Sequence, residues 1–167
     1  MSQSSSLLDP FSFPLQGTHL IEASAGTGKT YTITSLYLRL LLGHGDLFTG
    51  FGRPLGVSEI LLVTFTEAAT QELKGRIRTR INQAKQAFLK GSAKGDAVLE
   101  TLLKEFPKQS YPPLVRHLNL AEQQMDEAAI YTIHGFCQRM LKQNAFECNV
   151  LFDMNVLKDE QDLRETA

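Results

Sequence analysis

The sequence predicts an α/β fold in which helices flank a parallel sheet. Three observations lead there. Three short apolar runs, His19–Ile21, Ile60–Val63 and Ala129–Ile133, are each followed by a stretch with helical periodicity. A glycine-rich turn holding Gly26 and Gly28 joins the first run to its helix. The length, 167 residues, suits one domain with a buried core. Strands that alternate with helices pair in parallel because each helix carries the chain back across the sheet.

The elements follow in order. Residues 1–16 are rich in Ser, Pro and Phe and are expected to be extended. His19-Leu20-Ile21 reads as a short buried strand. From Lys29 to Leu42, the residues Ile33, Leu36, Tyr37, Leu40 and Leu41 recur at the spacing of one helix face, and Gly43 stands where a left-handed cap belongs. Residues 43–57 hold five glycines and a proline and read as a long loop. Ile60-Leu61-Leu62-Val63 reads as a strand buried on both faces. Thr66 is placed to cap the next helix, with Glu67 favourable at its N-terminus. That helix runs to about Lys90, with Leu73, Ile77, Ile81, Ala84 and Phe88 on one face. A helical region follows, expected to break near Pro107 and Pro112-Pro113. Ala129-Ile130-Tyr131-Thr132-Ile133 reads as a third strand, leading into a helix from about Gly135 to Asn144. Residues 147–167 carry six acids and two bases and end without a helix stop signal.

Composition excludes several classes. Hydrophobic residues at 43% and charged residues at 21% exclude a collagen-like chain, a disordered tail and a disulfide scaffold. Lys+Arg of 17 against Asp+Glu of 18 gives a net charge of -1, which argues against a wholly basic binder but leaves room for a local basic patch. Cys137 and Cys148 lack C-x-x-C spacing and read as reduced thiols. The four histidines show no zinc-ligand spacing. Met1 to Leu15 has no basic, then apolar, signal pattern, and Leu36–Leu42 is interrupted by Arg39 and too short to span a bilayer. A cytoplasmic location without membrane attachment is expected.

The chemistry begins at Ala23-Ser24-Ala25-Gly26-Thr27-Gly28-Lys29-Thr30. This fits the Walker A pattern, with Ala23 in place of its first glycine. A glycine-rich turn lets successive N–H groups ring a phosphate chain, and the helix N-terminus adds the positive end of its dipole. Lys29 would reach the β- and γ-phosphates, and the Thr30 hydroxyl would ligate Mg²⁺. The flanking strand and helix are the context such a loop needs, so a P-loop NTPase of RecA-like type that binds ATP with Mg²⁺ is expected.

Such a site also needs an acid at the end of a second strand. Ile60–Val63 ends in Thr64, and Ile130–Ile133 ends in His134. Only one apolar residue precedes Asp126-Glu127, and Asp153 after Val150-Leu151-Phe152 has no adjacent acid. No arginine can be assigned as a finger. The sequence therefore holds half of an ATPase site.

Two more segments end strands with chemistry-bearing residues. Val63-Thr64-Phe65-Thr66-Glu67-Ala68-Ala69-Thr70 would project two hydroxyls and an aromatic into the crevice at the carboxyl end of the sheet. Thr64 and Thr66 can donate to phosphates, and Phe65 can stack on an unpaired base. Thr132-Ile133-His134-Gly135-Phe136-Cys137 ends the third strand in the same way. Lys74, Arg76, Arg78, Arg80, Lys85, Lys90 and Lys94 lie within 74–95 with no acid. Such a run is either a solvated helix face or a nucleic-acid surface.

Together, Ala23 to Thr30, VTFTEAAT with ELKGRI, and TIHGFC stand in the order and spacing of the first three motifs of superfamily 1A helicases. The chain resembles the start of the motor domain shared by the UvrD, Rep and AddA types. EASAGTGKT, VTFTEAAT, MDEAA and TIHGFCQRML resemble the RecB-type family, the helicase–nuclease subunits of bacterial exodeoxyribonuclease V, and the resemblance covers about residues 10–157. It implies that residues 1–167 are the N-terminal part of a UvrD-like ATP-binding motor domain, with the sheet incomplete at the C-terminus. The Walker B acids, a second motor domain with the arginine finger and a nuclease domain would lie beyond Ala167. By the same resemblance, Gly26, Thr27, Gly28, Lys29 and Thr30 bind ATP and Mg²⁺. Gln16 stands where related helicases place a glutamine that reads adenine, although its surrounding words differ. Thr64, Phe65 and Thr66, and then Thr132, His134 and Gly135, match the first two DNA-contacting motifs. The implied activity is a 3′-to-5′ ATP-dependent DNA helicase and exonuclease that acts on duplex ends and single strands in double-strand-break repair, beside RecC and RecD. Two other readings of the residues remain: a small P-loop phosphotransferase, which would need a second-strand acid, and a non-enzymatic nucleic-acid-binding module built on the basic helix.

Overall fold

A computed structural model describes residues 8–144 apart from Ala23, Ala25, Thr27 and Lys94. Asp153, Cys148 and the acidic segment 147–167 lie outside the described residues.

Helix α1 spans Lys29–Leu42 and stops at Gly43, whose φ of 63° is a conformation that disfavours any Cβ. A Cβ at Gly43 would also come within 2.6 Å of the Pro54 nitrogen, so the long loop 43–57 folds back tightly on the end of α1. Strand β1 is Leu62–Thr64. Helix α2 spans Glu67–Lys90; the Thr66 hydroxyl accepts the Ala69 N–H at 3.1 Å, and Gly91 in the left-handed region closes the helix. Helix α3, Ala97–Glu105, is capped by Asp96, which accepts the Leu99 N–H at 3.1 Å. Helix α4 is Tyr111–Gln123, strand β2 is Ile130–Thr132, and helix α5 is Ile133–Gln143.

Strands β1 and β2 pair in parallel, with Leu62 opposite Ile130 and Thr64 opposite Thr132. The mixed α/β class and the parallel pairing are as the alternation predicts. Helix α2 is the centre of the packing and touches α1, α3, α4 and both strands. Its residues Leu73, Ile77, Ile81, Ala84 and Phe88 are all buried, as the 3.6-residue period requires. They meet Tyr37, Leu38, Leu41 and Leu42 from α1, Leu102 from α3, and Leu114 and Leu118 from α4 in one core.

Several expectations are corrected. His19–Ile21 is not a strand: it has no ladder partner, and Leu20 is 84% exposed. A strand needs a neighbour to satisfy its backbone, and among the described residues the sheet consists of β1 and β2. The strand at 60–63 is displaced to 62–64 and is not buried on both faces, since Leu61 and Val63 are exposed. On α1 the buried face is rotated: Leu38, Arg39 and Leu42 are buried, whereas Ile33 is exposed. Ile33, Leu36 and Leu40 instead line an apolar cleft of about 300 Å³ with Phe13, Ile21 and Leu62. Pro107 does end a helix, but Pro112-Pro113 lie in the first turn of α4, where proline's missing N–H costs no hydrogen bond. Helix α5 starts at Ile133, earlier than the expected Gly135, because Thr132 rather than a later residue caps it.

Candidate nucleotide and nucleic-acid site

The N-termini of α2 and α5 follow β1 and β2 directly, that of α1 follows the glycine turn, and the three differ in how they are satisfied. At α2, Thr66 is the cap and Glu67 adds an acid to the first turn. At α5, Thr132 is the cap, its hydroxyl accepting the Gly135 N–H at 3.1 Å. At α1, the cap residue is Gly28 with φ 86°, which supplies no side-chain hydrogen bond, and the first turn holds no acid. Each α-helix begins with N–H groups that lack intrahelical acceptors. The chain's own side chains help satisfy α2 and α5, while α1 presents the end best suited to an external anion.

Lys29 sits at this end. Its ammonium donates to the Ser24 carbonyl at 2.7 Å, across the turn that contains Gly26. Gly26, at φ 79°, and Gly28 take left-handed conformations that glycine adopts without strain. Ala23, Ala25 and Thr27 lie outside the described residues. Thr30, one residue into α1, borders a cleft of about 410 Å³ with Tyr31, Thr34, Glu72, Arg76 and Arg80, between α1 and α2. The Arg80 guanidinium lies 5.9 Å from the centre of the Tyr31 ring. The Gln16 amide donates to the Gly50 carbonyl at 3.1 Å.

The two threonine-bearing strand ends come together. The Thr64 hydroxyl lies 2.5 Å from that of Thr70 and 3.1 Å from the Thr66 carbonyl, to which Thr70 also donates. The Thr132 hydroxyl donates to the Glu67 carboxylate at 3.1 Å. Parallel pairing of Thr64 with Thr132 thus places both expected contact segments side by side. Phe65, after β1, is 81% exposed, and His134, in the first turn of α5, is also exposed. A Cβ at Gly135 would approach Thr132 Oγ1 to 3.1 Å and crowd the capping hydroxyl. Sequence reasoning missed Thr70 as part of this cluster. Its four-residue spacing from Thr66, the reach of a hydroxyl to the preceding-turn carbonyl, was the available signal.

The basic stretch at 74–95 is corrected by its partners. Arg76 pairs with Glu72 at 2.7 Å and Arg78 with Asp126 at 2.9 Å. Arg80 forks onto Asp96, and Lys85 pairs with Glu122, which also accepts from Asn82 at 2.8 Å. The Lys85 and Asn82 hydrogen bonds hold the Glu122 carboxyl below its ordinary value. Four of the seven cations are therefore paired with acids, Arg76 within α2 and the other three to residues outside it, and α2 is not an uninterrupted basic surface. Cys137 is an exposed free thiol. No helix among the described residues is long and apolar enough to cross a membrane.

Comparisons with known proteins give the family to which this mixed α/β chain belongs. The chain matches the UvrD/REP helicase N-terminal domain over residues 8–167 and belongs to that family. It is 54% identical to the RecBCD enzyme subunit RecB of Escherichia coli K12 over its whole length. It is 52% identical over 163 residues, 93% of the chain, to the subunit of the same name from Haemophilus influenzae. For that of Chlamydia trachomatis the identity is 38% over 133 residues, 78% of the chain. The chain spans 14%, 13% and 12% of these three proteins respectively.

Proposed function

We propose that this chain is the ATP-binding N-terminal part of a 3′-to-5′ DNA helicase and exonuclease subunit of the RecBCD type, acting in double-strand-break repair and recombination with RecC and RecD as partners. Its fold on this reading is that of a RecA-like P-loop NTPase, and its location is cytoplasmic. The observation that carries the reading is the contrast among the three turns: α2 and α5 are capped by Thr66 and Thr132, whereas α1 begins at a bare Gly28 with Lys29 beside it.

On this reading the residues take the following roles. Gly26, Thr27 and Gly28, with Ala23, Ser24 and Ala25 before them, form the loop around the triphosphate. Lys29 exchanges the Ser24 carbonyl for the β- and γ-phosphate oxygens, a charge-assisted hydrogen bond replacing a neutral acceptor. A hydroxyl in the first turn beside an ammonium, at a helix end without an acid, is a donor set that fits magnesium triphosphate, and Thr30 would hold the metal. Mg²⁺, when bound, neutralises charge on the phosphate oxygens. Gln16 reads adenine. At the other strand ends, Phe65 is a stacking platform for a base, while Thr64, Thr66, Thr132, His134 and Gly135 line the path of the strand. Their hydroxyls hold one another and the helix N-termini, which keeps Phe65 on a rigid edge.

Titration with labelled ATP and a single-stranded oligonucleotide tests this. Binding of both is expected, with DNA-stimulated hydrolysis and strand separation in the intact protein. Hydrolysis that ignores DNA and transfers phosphate to a small metabolite would refute it in favour of a phosphotransferase.

A further inference from the structure

Arg39 is fully buried near the C-terminal end of α1. A buried guanidinium must give its N–H groups to acceptors or lose its hydration uncompensated. Nη1 donates to the carbonyls of Pro10 at 2.5 Å and Phe13 at 2.7 Å, Nη2 to that of Thr49 at 2.8 Å, and Nε to Nδ1 of His44 at 3.0 Å. Because arginine only donates, His44 Nδ1 is the acceptor and its proton sits on Nε2, which bonds Glu105 at the end of α3. The His44 ring is held between Phe11, 5.6 Å away, and Phe106, 5.8 Å away.

Three of these four acceptors are main-chain carbonyls, and they belong to the two irregular segments that meet at Gln16. Thr49 O accepts from Arg39 and also from the Leu15 N–H at 3.3 Å, and the next carbonyl, Gly50, accepts from the Gln16 amide. With Nε2 engaged there, Gln16 Oε1 is an acceptor suited to the 6-amino group of adenine and repelled by the 6-oxo group of guanine. Helix α1 carries Lys29 at its other end, ten residues or about 15 Å away at 1.5 Å per residue.

We propose that Arg39 is a positioning residue that fixes Gln16 relative to the phosphate-binding end of α1, and that it thereby sets the discrimination between ATP and GTP. The proposal rests on the reading of Gln16 as the adenine-contacting residue. Helix α1 is the rigid spacer, Lys29 marks the phosphate end, and the Arg39 fork ties the base-reading segment to the other end. Arg39→Lys keeps the charge but cannot reach four acceptors from one planar group.

The experiment measures DNA-stimulated hydrolysis of ATP and GTP by the intact protein carrying Arg39→Lys, Gln16→Ala or both. Arg39→Lys is expected to lower the ATP-to-GTP ratio of kcat/KM by about tenfold, through KM for ATP with kcat little changed. Gln16→Ala should collapse the same ratio, and the double variant should be no worse than Gln16→Ala. A folded Arg39→Lys with the parental ratio, beside a collapsed ratio in Gln16→Ala, overturns the role of Arg39 alone. A parental ratio in Gln16→Ala overturns the adenine reading and this proposal with it. Should Arg39→Lys not fold, His44→Phe keeps the ring between Phe11 and Phe106 while removing the Nε acceptor. It is expected to lower the ratio in the same direction, and a folded His44→Phe with an unchanged ratio likewise refutes the proposal.

Discussion

The Thr132 hydroxyl donates to Glu67 Oε1 at 3.1 Å while its oxygen accepts the Gly135 N–H at the same distance. One buried atom thus caps α5 and ties the end of β2 to the start of α2. Thr132→Val removes both bonds at nearly constant volume and is expected to cost about 1–2 kcal/mol, the range for a lost cap. Glu67→Gln should cost less, because the amide still accepts. Urea unfolding measures both, and a Thr132→Val variant within experimental error of the parent would show that the bond contributes nothing.

Lys29→Ala in the intact protein should abolish DNA-stimulated ATP hydrolysis without unfolding the domain. The side chain is exposed and sits at a helix start, where alanine is well tolerated. Circular dichroism reports the fold and phosphate release the turnover. Near-parental turnover would remove Lys29 from the proposed phosphate site.

Phe65 is exposed enough that Phe65→Ala should change stability by no more than about 0.5 kcal/mol. If the ring is a stacking platform, the same change weakens single-strand binding by roughly 1–3 kcal/mol, read by fluorescence anisotropy. Loss of stability with unchanged DNA binding would make Phe65 a packing residue instead.

Asp96 links α3 to α2. Burial opposes its charge, but the Arg80 hydrogen bond, the Leu99 N–H and the Arg80 charge outweigh burial and hold the carboxyl below its ordinary 3.8. A carboxyl lowered in the folded state contributes stability that is complete above its unfolded value. That stability is lost as pH falls through the folded value. Asp96→Asn should therefore lower stability at neutral pH by about 1–3 kcal/mol, because the amide loses the charge and leaves one acceptor for the two Arg80 N–H groups. It should also flatten the acid dependence of stability as pH falls below the ordinary carboxyl value. Asp9, Asp46, Glu59 and Glu122 are lowered in the same direction, so the slope should shrink rather than vanish. An acid limb of unchanged steepness would exclude Asp96 from it.

Much of the site was legible because its signals are local. A helix cap is a contact between a residue and one three positions on, so Thr66 and Gly43 could be read as letters, and the buried face of α2 follows from its period. The glycines of the turn before α1 announce conformations that other residues avoid, and the order of the motif words carries the family. Tertiary structure decided what depends on distant residues. Whether 74–95 is a basic surface turns on Asp96, Glu122 and Asp126, which lie 16, 37 and 48 residues from their partners. Which side of α1 is buried turns on where α2 and the loop 43–57 lie, so Leu38 and Arg39 went inward where periodicity chose Ile33. His19–Ile21 has the composition of a strand, but composition sets only a propensity; a strand forms when a neighbour supplies hydrogen bonds, and none of the described strands does so there.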